Sequence, residues 1–436
     1  MRPRAVLYAI AIFLSSSLLF LIEPMAGKRL LPLLGGSASV WMTCLVFFQT
    51  VLLTGYLCAH GIATRLRPRI QAVVYGVLLV ASLAQVARNL NPHLRASTLH
   101  PAYSVLWLLT VLIGLPFLVL SATNPLLQSW YARDSHGDLA TANAPAPPYR
   151  LFALSNLGSL LALVIYPTLV EPHFSLRAQT VAWSAGFLVF VLACGAISLS
   201  NRNAAAVELR VAETQTEDEL AAGPELQPTS NEKMVWLLTA ACGALLLSAV
   251  TSHLSQNIAA IPLLWIIPLT IYLLTFVIAF NGGKLYVRWL VIGLLPLALG
   301  GVGYLISNPD EAPPIRTTVP AICAALFIAC LFCHGELHRR RPSPRYATQY
   351  YLFIAAGGAL GSMFVGVLAP LIFRGSYELA WSLVYTAALA TVLMWKDHFV
   401  WRLFWPAATI GLLVVVALQV RVYSQNAIVQ VRSFYG

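Results

Sequence analysis

The sequence predicts an all-α fold, a polytopic membrane helix bundle of about thirteen (twelve to fourteen) transmembrane helices, arranged as two transporter-like lobes of six and seven around a linker. Three observations predict it. Hydrophobic residues make up 59% of the 436 residues and charged residues only 10%, against about 45–50% and about 25% in soluble domains. The apolar residues come in separate runs of about 17–24, each long enough to cross roughly 30 Å of hydrocarbon as a helix. One stretch, Asn201–Lys233, breaks this pattern with seven acidic and three basic residues among Gly, Pro, Thr and Gln.

The runs place spans at 5–22, 38–60, 71–88, 102–122, 150–168 and 178–200 in the first half. In the second half they fall at 234–252, 258–280, 287–305, 316–334, 347–368, 377–395 and 402–420. Residues 1–200 are then an N-terminal lobe, 201–233 a disordered acidic linker, 234–420 a C-terminal lobe and 421–436 a tail. The opening Met1-Arg-Pro-Arg4 followed by Ala5–Ile22 has the outline of a signal peptide. Its apolar stretch exceeds the usual h-region and no A-x-A site follows, so it reads as a retained first helix.

The net charge of +11 does not indicate nucleic acid. The Lys and Arg residues sit in short clusters between apolar runs, where loops meet anionic headgroups of a lipid bilayer. With the N-terminus cytoplasmic, eighteen basic residues fall inside and nine outside, as the positive-inside rule requires. Arg65–Arg69 and Arg339–Arg345 weigh most, and Lys28-Arg29 runs against the trend. The seven cysteines all lie in apolar runs and do not form a disulfide framework.

A trace of internal repetition links the two halves. Tyr149-Arg-Leu-Phe152 opens the fifth span and Tyr350-Tyr-Leu-Phe353 the eleventh; Leu157-Gly-Ser159 matches Leu360-Gly-Ser362, and Pro167 matches Pro370. Small residues, among them Ser155, Gly158 and Ser159 in one span and Gly357, Gly358, Gly361 and Ser362 in the other, suit close helix packing or a gating surface.

Ionisable and amide side chains at membrane depth are costly and therefore candidates for function. They are Glu23 before Pro24, Lys28 just after it, Gln49 in the second span, Asn156 in the fifth and Glu171 before Pro172. His253, Gln256 and Asn257 fall in a polar break between the seventh and eighth spans, and His334 and Glu336 close the tenth. The carboxylates suit a cation or proton site, or else cap helices and bond loops. Cys330-Leu-Phe-Cys333-His334 matches the haem-attachment pattern, but inside an apolar span it reads as small buried thiols. No nucleotide-binding, hydrolase or zinc-protease signature is present, so neither a cofactor nor a metal is expected and the chain by itself is not read as an enzyme.

Several segments resemble the membrane domain of the bacterial fused major-facilitator/spermidine synthase proteins. They are Glu23-Pro-Met-Ala-Gly-Lys28, Leu31-Pro32, Gly35-Gly36, Val40-Trp41, Phe47-Phe-Gln49 and Gly55-Tyr56. Pro148-Tyr149, Ser155-Asn-Leu-Gly-Ser159, Tyr166-Pro167 and Glu171-Pro172 continue the match. Ile258-Ala-Ala-Ile-Pro-Leu-Leu-Trp265, Cys333-His-Gly-Glu-Leu337 and Arg341-Pro342 complete it. The resemblance implies a plasma membrane (bacterial inner membrane) location and a soluble aminopropyltransferase-like domain or partner. The ending Val431-Arg-Ser-Phe-Tyr-Gly436 resembles the point where that domain begins, and the synthase's own glycines and acids have no counterpart here. Gly61 and the arginines to Arg69 are similar to the major-facilitator signature between spans two and three, without its Asp.

Three functions follow as expectations: a membrane module of a spermidine-synthase-like, polyamine-related system; a secondary transporter of a small organic cation such as a polyamine; or a structural subunit of a membrane complex. The transporter reading expects a midplane cavity lined by carboxylates such as Glu23 or Glu336. Thirteen spans from an inside N-terminus leave Gly436 outside, at odds with a cytosolic synthase.

Overall fold

The computed structural model describes residues 3–35, 38–89, 101–136, 148–211, 227–257, 264–280, 285–308, 313–343, 346–373 and 375–426. The first half is built from α1 (Pro3–Leu34), α2 (Ala38–Arg65), α3 (Pro68–Arg88), α4 (Pro101–His136), α5 (Pro148–Ile165) and α6 (Leu176–Val211). The second half holds α7 (Ser230–Asn257), α8 (Ile266–Phe280), α9 (Arg288–Ser307), α10 (Ile315–Arg339), α11 (Ala347–Met363), α12 (Glu378–Met394) and α13 (Phe399–Asn426). Among the described residues, eleven helices are long and apolar enough to cross a membrane, and α8 and α12 are shorter apolar helices. The protein is thus a polytopic membrane bundle in contact with lipid.

Local chemistry sets the helix ends. Proline occupies the first position of α3, α4 and α5, where its missing N–H costs nothing. Thr229 and Glu232 form a reciprocal capping box ahead of α7: the Thr229 N–H donates to Glu232 Oε2 at 2.8 Å, and the Glu232 N–H donates back to Thr229 Oγ1 at 3.3 Å.

The helices overrun the expected spans because polar turns continue them past the hydrocarbon. α1 runs through Pro24 and Pro32 to Leu34, so Glu23 lies within a helix rather than at its end. α7 continues to Asn257, so the expected polar break at 251–257 is the end of a helix. In the linker expected at 201–233, α6 extends to Val211 and α7 begins at Ser230, while residues 212–226 lie outside the described residues, as does 427–436 of the tail.

The main packing pairs of the first half have counterparts in the second. α1 packs on α4, α5 and α6 as α7 packs on α10, α11 and α12; α2–α4 corresponds to α8–α10, and α3–α4 to α9–α10. The lobes meet along two antiparallel edges, α2 on α11 and α5 on α8. α13 leans on α12, and only 11% of its most apolar window is buried, which leaves most of its surface to lipid. The end carrying the α2–α3, α4–α5 and α6–α7 connections is called the linker end below. Exposed aromatics mark both boundaries, with Trp289, Trp395 and Phe399 near the linker end and Tyr103, Trp107 and Tyr304 at the other, as in the aromatic belts of membrane proteins.

The repeat extends to a local distortion. α5 passes through a π segment, Tyr166–Val170, into Glu171–His173; α11 passes through Phe364–Leu368 into Ala369–Ile372. In each, the residue before a proline (Pro172 or Pro370) donates its N–H five residues back, Glu171 to Tyr166 and Ala369 to Phe364. The wider turn accommodates the ring and the N–H it lacks.

Close backbone approaches fix the helix register. A Cβ on Gly158 would lie 2.9 Å from the Phe13 carbonyl oxygen and 2.8 Å from Ser16 Oγ of α1. A Cβ on Gly357 would collide with the Leu237 carbonyl oxygen and lie 2.8 Å from Ala240 Cβ of α7. Gly357→Ala is therefore expected to destabilise the C-terminal lobe by about 1–3 kcal/mol through overpacking against backbone. Gly61→Ala, which meets nothing within 4 Å, is expected to be neutral. Thermal unfolding of both purified variants checks the contrast; equal melting temperatures would refute it.

Candidate functional site

Where the two edges leave room between them, a central cavity of about 100 Å³ opens. α1 contributes Ser16, Leu19 and Phe20; α2 contributes Gln49, Leu52 and Tyr56; α4 contributes Ser121 and Asn124. α5 contributes Phe152, Ser155, Asn156 and Ser159, α8 contributes Leu269, Tyr272, Leu273 and Phe276, and α11 contributes Tyr351, Ile354, Ala355 and Gly358. None of these residues is Asp, Glu, Lys, Arg or His.

The spacing 152, 155, 156, 159 on α5 recurs as 351, 354, 355, 358 on α11, and 49, 52, 56 on α2 recurs as 269, 272, 276 on α8. The glycine contacts agree, because Gly158 meets α1 as Gly357 meets α7. The structural register thus pairs Phe152 with Tyr351 rather than with Phe353, so the sequence match of the Tyr-x-Leu-Phe segments is two residues out of step.

The hydrogen bonds around the cavity leave several acceptor lone pairs open. Asn124 Nδ2 donates to Ser155 Oγ at 2.6 Å, while Asn124 Oδ1 has no partner. Ser16 donates to the Ile12 carbonyl, Ser121 to the Leu118 carbonyl and Ser159 to the Ser155 carbonyl, so their hydroxyl protons are used within their own helices and their lone pairs remain. Asn156 Nδ2 likewise donates to the Phe152 carbonyl at 2.9 Å.

Both lobes close on the cavity's ends. Toward the linker end, Phe152 and Tyr351 stack at 4.7 Å, and Phe276 and Phe280 pack edge-on to Phe152 at 5.9 and 5.0 Å. Beyond them, His60 Nδ1 of α2 lies 3.3 Å from Thr348 Oγ1 of α11. At the opposite end, Trp41 of α2 packs on Trp265 just before α8, at 6.2 Å.

Two six-helix lobes, α1–α6 and α7–α12, with α13 added at the side, meet along α2–α11 and α5–α8 around a central cavity and define a fold of the major facilitator type. No protein-family model matches the sequence, and no curated protein matches it. Solved structures do. The proton:xylose symporter XylE bound to 6-bromo-6-deoxy-D-glucose superposes with a TM-score of 0.53 at 14% identity, covering 90% of this chain and 95% of that one. A mutant form of the nucleoside transporter NupG gives 0.52 at 12% identity, covering 90% and 100%. The POT family transporter PepTSo gives 0.51 at 15% identity, covering 98% and 99%. At such identities the likeness concerns the fold.

Of the ionisable and amide residues singled out from sequence, Gln49 and Asn156 line the cavity, as do the small residues Ser155, Ser159 and Gly358. The other ionisable and amide candidates lie elsewhere, and the carboxylates expected around a cavity are not in its lining. Lys28 Nζ pairs with Glu171 Oε1 at 2.6 Å and ties α1 to the end of α5, with about a third of each side chain exposed. Glu23 is buried in α1. Gln256 donates to Ser252 and accepts from Ser376 Oγ at 2.7 Å, joining the end of α7 to the segment before α12. His253 and Asn257 fall in the last two turns of α7.

His334 lies behind the cavity wall, stacked on Phe276 at 3.6 Å, with Nδ1 2.8 Å from Thr275 Oγ1. Cys330 and Cys333 are buried on the same helix. Glu336, fully buried, is the centre of an ion cluster at the linker end. Arg288 Nε approaches its Oε1 at 2.7 Å, Arg339 the same oxygen at 3.3 Å, and Arg340 pairs with Oε2. Arg288 also pairs with Asp397 from the segment between α12 and α13. Tyr286 packs its ring against Gly335. Burial pushes the Tyr286 phenol up, and the Glu336 charge adds to that, while Arg288 and Arg339 oppose it.

Sequence reasoning missed Tyr56, Asn124, Tyr272 and Phe276. Serines, tyrosines and phenylalanines are ordinary in membrane helices, and Asn124 alone among these carried the signal of an amide inside an apolar run.

Proposed function

We propose that the protein is a secondary transporter that carries a small solute through the central cavity by alternating access of its two lobes. The observation that carries this reading is a cavity between the lobes, lined from both at matching positions and flanked at each end by aromatic contacts between them. Alternation requires those end contacts to part in turn while the lobes move as bodies.

Spin labels at His60→Cys and Thr348→Cys, with the half-buried Cys58 and Cys323 replaced by alanine, test this without any ligand. Pulsed distance measurements in liposomes are expected to resolve two populations, the shorter matching the closed linker end. A single short distance under all conditions would sink the transporter reading. The same reading puts the chain in a bacterial inner membrane with its N-terminus cytoplasmic. A fluorescent reporter inserted within 212–226 should then light up, and silence there would reverse the orientation.

A second reading is a membrane module serving an aminopropyltransferase-like partner. It is supported by Glu336 of the resembling Cys333-His-Gly-Glu-Leu337 segment, which centres the ion cluster at the linker end. Purification from a native host tests it: a stoichiometric aminopropyltransferase-like subunit is expected, and its absence would remove this reading.

A further inference from the structure

We infer that the solute is uncharged, with hydroxyl or amide groups along one edge and an apolar opposite face, the polar edge lying on the N-terminal lobe. The inference rests on the transporter reading and specifies its substrate class. The two lobes supply an internal control, because cavity positions on α1, α2 and α5 have backbone equivalents on α7, α8 and α11.

Across these pairs the polarity is one-sided. Gln49 corresponds to Leu269, Ser155 to Ile354, Asn156 to Ala355 and Ser159 to Gly358. Ser16 corresponds to Ala240, through the matching approaches of Gly158 and Gly357. The aromatic positions keep their rings, Tyr56 opposite Phe276 and Phe152 opposite Tyr351; the reversals are the two tyrosine hydroxyls of the C-terminal lobe, Tyr351 opposite Phe152 and Tyr272 opposite Leu52. The C-terminal lobe folds with apolar residues at the same five places. The fold therefore does not demand polar side chains there, and their presence in the N-terminal lobe calls for a cavity occupant that bonds them.

Chemistry narrows the occupant. The unpartnered Asn124 Oδ1 and the seryl lone pairs ask for O–H or N–H donors. Leu269, Ile354, Ala355 and the Phe276 ring offer only apolar contact. A cation or anion would sit at membrane depth with no opposite charge in the lining, an arrangement that is strongly disfavoured. At about 100 Å³ the cavity is smaller than the roughly 150 Å³ that holds a benzene ring, so the solute is compact or the rings at the linker end part to admit it.

The test is thermal unfolding of the purified protein with erythritol, myo-inositol or uridine as neutral probes, putrescine as a dication and succinate as a dianion. A neutral probe is expected to raise the melting temperature by mass action, and putrescine and succinate are not. Gln49→Leu and Asn156→Ala each install the residue the other lobe carries at the same place, so packing is preserved. Each is expected to weaken binding of that probe about three- to tenfold, the loss of one hydrogen bond, with the ligand-free melting temperature unchanged.

A shift with putrescine or succinate, no shift with any neutral probe, or undiminished affinity in both variants overturns the substrate class. Those outcomes leave the transporter reading intact if the labels at positions 60 and 348 still alternate. A single distance there defeats the transporter reading whatever binds.

Discussion

Glu336→Ala is expected to lower stability by about 2–4 kcal/mol, the largest loss of any single substitution in the C-terminal lobe. Removing one member of a buried ion cluster leaves its partners desolvated and unpaired, which typically costs about 3–5 kcal/mol. Here the Arg288 and Arg340 side chains are 27% and 31% exposed, so water recovers part of that. The cluster joins α10 to α9 and, through Arg288 and Asp397, to the α12–α13 segment. Trp236 of α7 donates to the Arg340 carbonyl, and Tyr350 of α11 to the Leu337 carbonyl, beside it. Losing the carboxylate thus loosens four helices and the α12–α13 segment at one end. Glu336→Gln keeps an acceptor for Arg288 and should lose roughly half as much. Arg339→Ala, at 48% exposure and 3.3 Å, should change stability by less than about 0.5 kcal/mol, the usual worth of an exposed pair. Thermal unfolding of the three variants orders them, and a Glu336→Ala protein as stable as the parent would refute the hub.

The helix set was legible in the sequence because a spanning segment must be apolar along its whole length. Its ends were not. Glu23-Pro24 and Thr251–Asn257 look like breaks, yet α1 and α7 run through them, since a helix continues into polar surroundings once packed. The site was half legible. Gln49 and Asn156 stand out as amides in apolar runs, and both line the cavity. Glu336 stands out for the same kind of reason but has both carboxylate oxygens bound by arginines, and Lys28 and Glu171 pair with each other. A charge at membrane depth announces that something holds it, and only the packed structure tells an internal partner from a solute. The repeat was visible but out of register, because the Tyr-x-Leu-Phe likeness competes with a register set by Gly158 and Gly357, which no side-chain pattern reveals.

Ala355→Phe is expected to abolish solute binding and flux, by at least about a hundredfold, while leaving the protein folded. Ala355 lines the cavity from α11 at the place equivalent to Asn156 of α5, so its Cβ already points along the wall the solute must occupy. A cavity of roughly 150 Å³ holds a whole benzene molecule, and this one offers about 100 Å³, so the new ring leaves no room for a solute. The surroundings receive it well: Phe152, Phe276 and Tyr351 are aromatic and largely buried. Burial of the added ring, at about 25 cal/mol per Å², opposes an overpacking strain of about 1–3 kcal/mol, and the two nearly cancel. Leu371→Phe serves as the control, because Leu371 is 79% exposed on the same helical rod and faces lipid, so binding and flux should be unchanged. The pair separates a cavity that conducts from one that only results from imperfect packing. If the transported solute passes through this cavity, plugging it must stop transport without unfolding the protein. Flux in proteoliposomes that survives Ala355→Phe would place the pathway elsewhere in the bundle, and with it the polar edge assigned to Gln49, Asn124 and Asn156.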